Sequence, residues 1–267
     1  DTQSSRNVQR IIKGYVSPSY NTSKKLLDRL GLKGVLRSDV IVGSGVEAYE
    51  TLDKALDCIA MSKFEDAERL ISQLRTMFYS NVEINNIVLE YLEIWLQMLK
   101  DEVEFSEVVN RLESLLPFKY SEIGKYKYLV KHERMILSTY IECLGKMEKY
   151  EAIPDYDKMT SWITNELSKK QFASIFEDLN MRYANSYGNA GHYEKSDRIA
   201  EEGIRIEIEC ERMHCLNTLL YCRAWNAGER GNVSENDKEL CRCAYEIAKL
   251  KKQNIRMGLY RRWLEKQ

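Results

Sequence analysis

The feature that most constrains this chain is a helical hairpin that recurs along it. Apolar residues at helical spacing precede a short polar break at Ser62 and Lys63, and a second helical pattern begins at Phe64. The two-helix pattern covers five stretches, 49–74, 87–116, 135–163, 176–206 and 213–250. A single helical pattern follows at 254–266 and is expected to form a cap. The sequence therefore predicts a stack of antiparallel helical pairs.

An aromatic residue opens the second helix of each of the first four pairs. These residues are Phe64, Phe105, Tyr150 and Tyr193, which lie 41, 45 and 43 residues apart. An aromatic side chain there is expected to pack across the turn between the two helices. Three positions later a small residue would let the helices approach closely, and Ala67 and Ser196 meet that need. Val108 and Ile153 are larger and depart from the pattern.

This pattern resembles tetratricopeptide repeats over most of residues 45–250. The best match is AGHYEKSDRIAEEGI at 190–204, followed by KFEDAERLISQL at 63–74. The resemblance implies an all-α, right-handed helical solenoid whose first helices line a concave groove. These copies are longer than the usual repeat of about 34 residues, so they are irregular. With only 3 prolines and 13 glycines, the composition also favours helices over a turn-rich sheet.

Positive charge is concentrated at the beginning of the sequence. Residues 1–37 contain eight lysines and arginines, opposed only by Asp1 and Asp28, although the formal net charge of the whole chain is −1. A basic segment on an acidic body suggests a polyanionic partner for that segment. No apolar run approaches the roughly 18 residues that a membrane span requires, and the seven cysteines have no CxxC spacing. We therefore expect a reduced, cytoplasmic protein that does not bind membranes.

Two short helices are predicted within the basic segment. Val8, Ile11 and Ile12 share one helical face before Gly14, and the second helix ends at Leu30 and Gly31. The stretches NVQRIIKGYVSPS and KKLLDRLGL resemble the recognition helix and the following helix of the Cro/repressor type of helix-turn-helix. This sequence departs from the family pattern at Ile12, where a glutamate is common. The scaffold helix that precedes the recognition helix in that family has no counterpart in the quoted stretches.

A module of this kind followed by irregular helical repeats resembles the peptide-responsive transcription regulators of Gram-positive bacteria. The resemblance implies a helix-turn-helix half at 1–31, a linker at 32–44 and a repeat sensor domain at 45–267. It also implies a homodimer that binds operator DNA through the complete module and a short signalling peptide in the groove. Two alternatives remain open: a repeat scaffold that binds a protein partner without DNA, and a repeat protein that contacts a phosphorelay response regulator.

The DNA-binding residues implied by this resemblance lie in the first predicted helix and just before it. Hydrogen-bonding side chains at the beginning of a recognition helix can read base edges, and basic side chains can contact phosphates. The expected base-reading residues are Gln3, Ser4, Ser5 and Gln9, and the expected phosphate contacts are Arg6, Arg10 and Lys13. Alternatively, these residues form the solvated face of an ordinary small helix.

The peptide-binding residues are expected on the inward face of each first helix. Counting back from the aromatic positions places ten side chains there. Eight of them are expected to bind the peptide, namely Glu93, Gln97, Glu142, Arg182, Asn185, Asn189, Cys222 and Asn226, and the other two are Ser138 and Thr218. An asparagine amide can pair with both the N–H and the C=O of a peptide backbone. Asn189 and Asn226 could instead cap helices, and Asn185 could form a structural hydrogen bond. Tyr183, Tyr187 and Trp225 could line a pocket or belong to the core.

Motifs typical of enzymes and metal sites are missing from the sequence. It contains no Gly-rich phosphate loop, nucleophile elbow or HExxH motif, and its three histidines lie in different repeats. Cys210 and His214 would share one face of a helix, but two ligands do not complete a zinc site. The sequence thus predicts neither catalysis, nor a bound metal, nor a cofactor.

Overall fold

The computed structural model of the chain describes Arg10 and residues 46–116, 131–160 and 169–267. The chain divides into two compact units, Asp1–Val40 and Ile41–Gln267. Arg10 is helical and exposed. The rest of the predicted helix-turn-helix half and linker, residues 1–44, lies outside the described residues.

The described residues from 46 onwards form an array of α-helices that pack in chain order. The described helices are α1 (Val46–Ala60), α2 (Phe64–Met77), α3 (Glu83–Leu99), α4 (Phe105–Leu115), α5 (Lys131–Lys146), α6 (Lys169–Asn189), α7 (Tyr193–Glu209), α8 (Leu216–Glu229), α9 (Glu235–Leu250) and α10 (Asn254–Lys266). The pairs α1–α2, α3–α4, α6–α7 and α8–α9 pack as hairpins, and α6 also packs against α5 and α8. Among the described helices, none is long and apolar enough to cross a lipid bilayer.

The predicted aromatic register is confirmed at three of its four positions. Phe64, Phe105 and Tyr193 are the first residues of α2, α4 and α7. Tyr150, by contrast, begins a short 3₁₀ turn that ends at Ala152, and helical structure resumes only at Tyr156. Pro154 explains the difference, because a residue that precedes proline is disfavoured in the α conformation. Asp155 then caps the new helix, since its carboxylate accepts a hydrogen bond from the Lys158 amide at 2.9 Å.

The turns between helices repeat one backbone geometry. Among the described helices, seven end in the Schellman arrangement, in which an amide bonds back to the carbonyl five residues earlier around one left-handed residue. At the end of α6, for example, the His192 amide donates to the Tyr187 carbonyl at 2.9 Å around Gly191, whose φ is 78°. Only Gly191 and Gly231 are glycines; the other left-handed residues are Ser62, Asp101, Glu148, Glu211 and Lys252. This geometry joins successive helices tightly and keeps them antiparallel.

The stretch 190–204 shows why small residues recur at the spacing that marks these repeats. Ser196 and Ala200 are fully buried, and the Ser196 hydroxyl donates to the Ala184 carbonyl across the hairpin at 2.7 Å. A Cβ atom on Gly203 would lie 2.8 Å from Leu219 Cδ1 and 3.1 Å from Asn180 Cβ. Small side chains therefore allow α7 to contact both α6 and α8 closely.

Two buried tyrosines at the third and fourth repeats give a stability test. The Tyr156 hydroxyl donates to Asn180 Oδ1 at 2.9 Å, whereas the buried Tyr183 hydroxyl has no hydrogen-bond partner in the described part of the chain. We expect Tyr156→Phe to lower the free energy of unfolding by about 1–2 kcal/mol, because a partnered hydroxyl is lost. Tyr183→Phe should leave it unchanged or raise it by up to about 1 kcal/mol, because an unpartnered buried hydroxyl carries only a desolvation cost.

Urea unfolding followed by far-ultraviolet circular dichroism would measure both changes. The two tyrosines control for each other, since their rings are in edge-to-face contact with centroids 5.2 Å apart and both are buried. Equal losses in the two variants would contradict the assigned hydrogen bonding.

Candidate functional site

A cavity of about 300 Å³ lies between the first helices of the third, fourth and fifth repeats and the final helix. Helices α5, α6, α8 and α10 supply its walls. The lining residues are Glu142, Gly145, Lys146, Arg182, Asn185, Ser186, Asn189, Tyr221, Cys222, Trp225 and Leu259. Five of the eight predicted peptide-binding residues are among them: Glu142, Arg182, Asn185, Asn189 and Cys222.

The charged wall of the cavity is an ion pair between α5 and α6. Arg182 Nη1 lies 2.6 Å from Glu142 Oε2, and the two side chains are 22% and 20% exposed. Because most of each side chain is withdrawn from water, solvent screens this pair weakly. Burial works to lower the pKa of the Arg182 guanidinium, but the Glu142 and Asp178 carboxylates outweigh it and raise that pKa above its ordinary value. Arg182 therefore stays charged, and the ion pair places a fixed cation beside the Glu142 carboxylate.

Two asparagine amides on α6 extend the polar wall. Asn185 is half-buried and Asn189 is exposed, and both line the cavity. Within residues 46–116, 131–160 and 169–267, neither side chain forms a hydrogen bond. Each amide can donate two hydrogen bonds and accept two. The structural hydrogen bond considered for Asn185 is thus not formed there, and its hydrogen-bonding capacity faces the cavity.

The opposite wall is apolar and held in place by the core. Tyr221 packs against Tyr260 with ring centroids 4.6 Å apart, and Trp225 meets Tyr193 edge to face at 6.3 Å. Leu259 contributes an exposed apolar side chain from α10. These aromatic contacts restrict the rings that face the cavity, so an incoming apolar group would meet a preformed surface.

Cys222 lines the cavity and is only 4% exposed. Its Sγ is 3.4 Å from the Ser196 hydroxyl oxygen. Burial raises the pKa of the Cys222 thiol to about 11, so the side chain is uncharged at neutral pH. A neutral, buried thiol contributes a small apolar surface rather than a nucleophile.

Three predicted peptide-binding residues lie away from the cavity. Glu93 forms an ion pair with Arg75, and Gln97 accepts a hydrogen bond from Arg111 at 2.8 Å. Asn226 is fully buried and donates to the Ser196 hydroxyl at 2.8 Å and to an Asp197 carboxylate oxygen at 2.7 Å. It therefore ties α8 to α7. Tyr183 and Tyr187 are buried in the core, whereas Trp225 lines the cavity.

Five lining residues were not singled out from the sequence: Gly145, Lys146, Ser186, Tyr221 and Leu259. Helical spacing could have identified some of them, because Lys146 follows Glu142 by four residues and Ser186 follows Arg182 by four. Leu259 could not have been identified in this way. Its helix was predicted to form a cap, and a cap gives no reason to expect a residue that lines a cavity.

The comparisons with known proteins support the fold. No family model matches this chain, and no curated protein matches it. Among solved structures, Bacillus thuringiensis PlcR in complex with the peptide PapR7 and DNA aligns with a TM-score of 0.66, at 12% identity over 96% of this chain and 89% of that one. ComR from S. thermophilus in complex with DNA and its signalling peptide ComS aligns with a TM-score of 0.59, at 14% identity over 97% and 88%. The predicted all-α, tetratricopeptide-like solenoid is thereby confirmed.

Proposed function

We propose that this protein is a DNA-binding transcription regulator whose repeat domain binds a short peptide in the cavity between α5, α6, α8 and α10. The observation that carries the proposal is the combination of two open asparagine amides, a fixed ion pair and an apolar wall on successive repeats. These are the groups that an extended peptide requires for its backbone, its charged groups and its apolar side chains.

In this proposal each wall of the cavity binds a different group of the peptide. Asn185 and Asn189 pair with backbone N–H and C=O groups, and Arg182 or Glu142 meets a charged side chain or terminus of the peptide. Trp225 and its apolar neighbours take a hydrophobic side chain. A cavity of about 300 Å³ is at the lower end of the range for ligand pockets and accommodates a few side chains. Its size favours a short peptide over the broad surface that a folded protein partner buries.

The proposal extends to DNA through the basic segment at the beginning of the chain. Residues 1–31 are assigned to the helix-turn-helix half and 32–44 to a linker, and the regulator acts as a homodimer. Both similar structures are complexes with DNA and a peptide, and this supports the assignment. The protein is then a ligand-controlled DNA-binding protein, with no catalytic step.

Nuclease footprinting tests the DNA part of the proposal. The protein expressed from its natural reading frame should protect a site in the DNA upstream of its own gene. Its affinity for that site should fall steeply with salt, because each phosphate contact releases counterions. Sedimentation in the presence of that DNA would measure the homodimer.

Affinity selection from a library of short synthetic peptides tests the peptide part. A selected peptide should change the fluorescence of Trp225 and shift the DNA affinity. The alternative of a repeat scaffold makes the opposite prediction: a stable protein partner recovered from host cytosol, with no protected DNA and no selected peptide.

A further inference from the structure

Three potential metal ligands meet outside the cavity, where α6 faces the turn between α7 and α8. They are Asp178 from α6 and the adjacent residues His214 and Cys215. Asp178 Oδ1 lies 3.5 Å from His214 Nε2 and 3.6 Å from Cys215 Sγ. One ligand atom of each residue lies within 4.8 Å of the other two.

These separations match the edges of a zinc coordination tetrahedron. Bond lengths of about 2.0–2.3 Å from zinc to N, O and S ligands give ligand–ligand edges of about 3.3–3.6 Å. The two measured distances to Asp178 lie within or at the end of that range. The third edge, between His214 and Cys215, is at most 4.8 Å long. The His214 side chain is 62% exposed, so it has room to adjust that edge.

A second observation beside these ligands points to a bound cation. The Glu207 carboxylate is fully buried, and its Oε1 accepts the backbone N–H of Cys215 at 2.7 Å. Its Oε2 is also buried and accepts no hydrogen bond from the described residues. Nearby, Glu177 is 1% exposed and pairs with Arg212. A buried carboxylate oxygen without a partner costs free energy, and a cation at the adjacent cluster would offset that cost.

We propose that Asp178, His214 and Cys215 form a zinc-binding site, with a fourth coordination position open to water. The exposed face of His214 gives the ion its entry path. Binding replaces the proton of the Cys215 thiol, which is released to solvent, by a sulfur–zinc bond, and His214 binds through an unprotonated Nε2 whose proton is likewise released or shifted to Nδ1. The Glu207 carboxylate holds the Cys215 backbone in place and adds negative charge around the ion.

The sequence alone suggested a different and incomplete set of ligands. Cys210 and His214 were expected to share one face of a helix, but Cys210 directly follows the last residue of α7 and His214 lies in the turn beyond it. Asp178, which is distant in sequence, supplies the additional ligand. None of its three ligands lines the proposed peptide cavity, although the Asp178 carboxylate also acts electrostatically on Arg182 in the cavity wall.

Titration of the reduced, full-length chain with Co²⁺ tests the proposal directly. Cobalt in a tetrahedral site with one thiolate gives a thiolate-to-metal charge-transfer absorption, and zinc should displace the ion and abolish that band. We expect one equivalent to bind. His214→Ala and Cys215→Ser should each weaken binding by at least about 100-fold, because each removes a direct ligand.

Two matched variants serve as controls. Cys243→Ser removes an exposed thiol and His192→Ala removes a turn histidine, and both should bind cobalt like the unchanged chain. No charge-transfer band in the unchanged chain, or a band that persists in Cys215→Ser, would overturn the proposal. If Cys215→Ser fails to fold by circular dichroism, His214→Ala decides, since its exposed side chain can be removed without disturbing the core.

Discussion

Replacing Trp263 by alanine is expected to lower the free energy of unfolding of the C-terminal repeats by about 3–5 kcal/mol. Trp263 is 7% exposed and belongs to a separate core cluster formed by α8, α9 and α10. Its ring meets Tyr221 edge to face at 6.5 Å, and Gly228 leaves room for its indole nitrogen. The alanine variant would leave a large cavity in this small cluster and release α10, which contacts α9.

The loss should first be visible at the end of the chain. In repeat arrays each unit is stabilised mainly by its neighbours, so α10 is expected to unfold before the central repeats. Hydrogen exchange along the chain would detect this as lost protection in α10 and α9. Ile255→Ala is the matched control on the same helix, because Ile255 is 75% exposed and should change nothing measurable. Uniform destabilisation along the whole chain would contradict the independence of this cluster.

Most of the fold could be predicted from the sequence, because helical hairpins are encoded locally. The apolar spacing fixes where α8 and α9 lie, and 254–266 coincides with α10. The turns were harder to place, since five of the seven left-handed residues in the described part of the chain are not glycine. Glu148, for example, adopts φ 58° and carries no composition signal for that conformation. The aromatic register alone predicts a helix that begins at Tyr150, whereas Pro154 delays the helix until Tyr156.

The candidate site, like the fold, could be predicted from the sequence only in part. Arg182, Asn185 and Asn189 could be found because they share one face of a single helix at intervals of three and four residues. Asn226 fits the same periodicity but points into the core, because Gly188 makes room for it: a Cβ atom there would lie 2.8 Å from Asn226 Oδ1. Contacts between distant elements, such as that of Asp178 with His214, leave no periodic signal in the sequence.

The second large effect is expected at the cavity, where Arg182→Ala should lower the affinity for a selected peptide by at least about 30-fold. The variant removes the fixed cation and leaves the Glu142 carboxylate, now unpaired, to repel acidic groups of the ligand. It should also lower the free energy of unfolding by about 1–3 kcal/mol, because a largely buried charge loses its partner. Fluorescence titration with the selected peptide and urea unfolding would measure the two effects separately.

A double variant distinguishes recognition from support of the fold. Adding Glu142→Gln to Arg182→Ala removes the unpaired charge, so most of the lost stability should return while peptide affinity stays low. Arg198→Ala is the control for arginine loss in general, because Arg198 pairs with Asp157 on an exposed surface away from the cavity. If the double variant regained peptide affinity together with stability, Arg182 would act only by holding α5 and α6 together. Low peptide affinity in a stable double variant would instead show that the Arg182 guanidinium contacts the peptide directly.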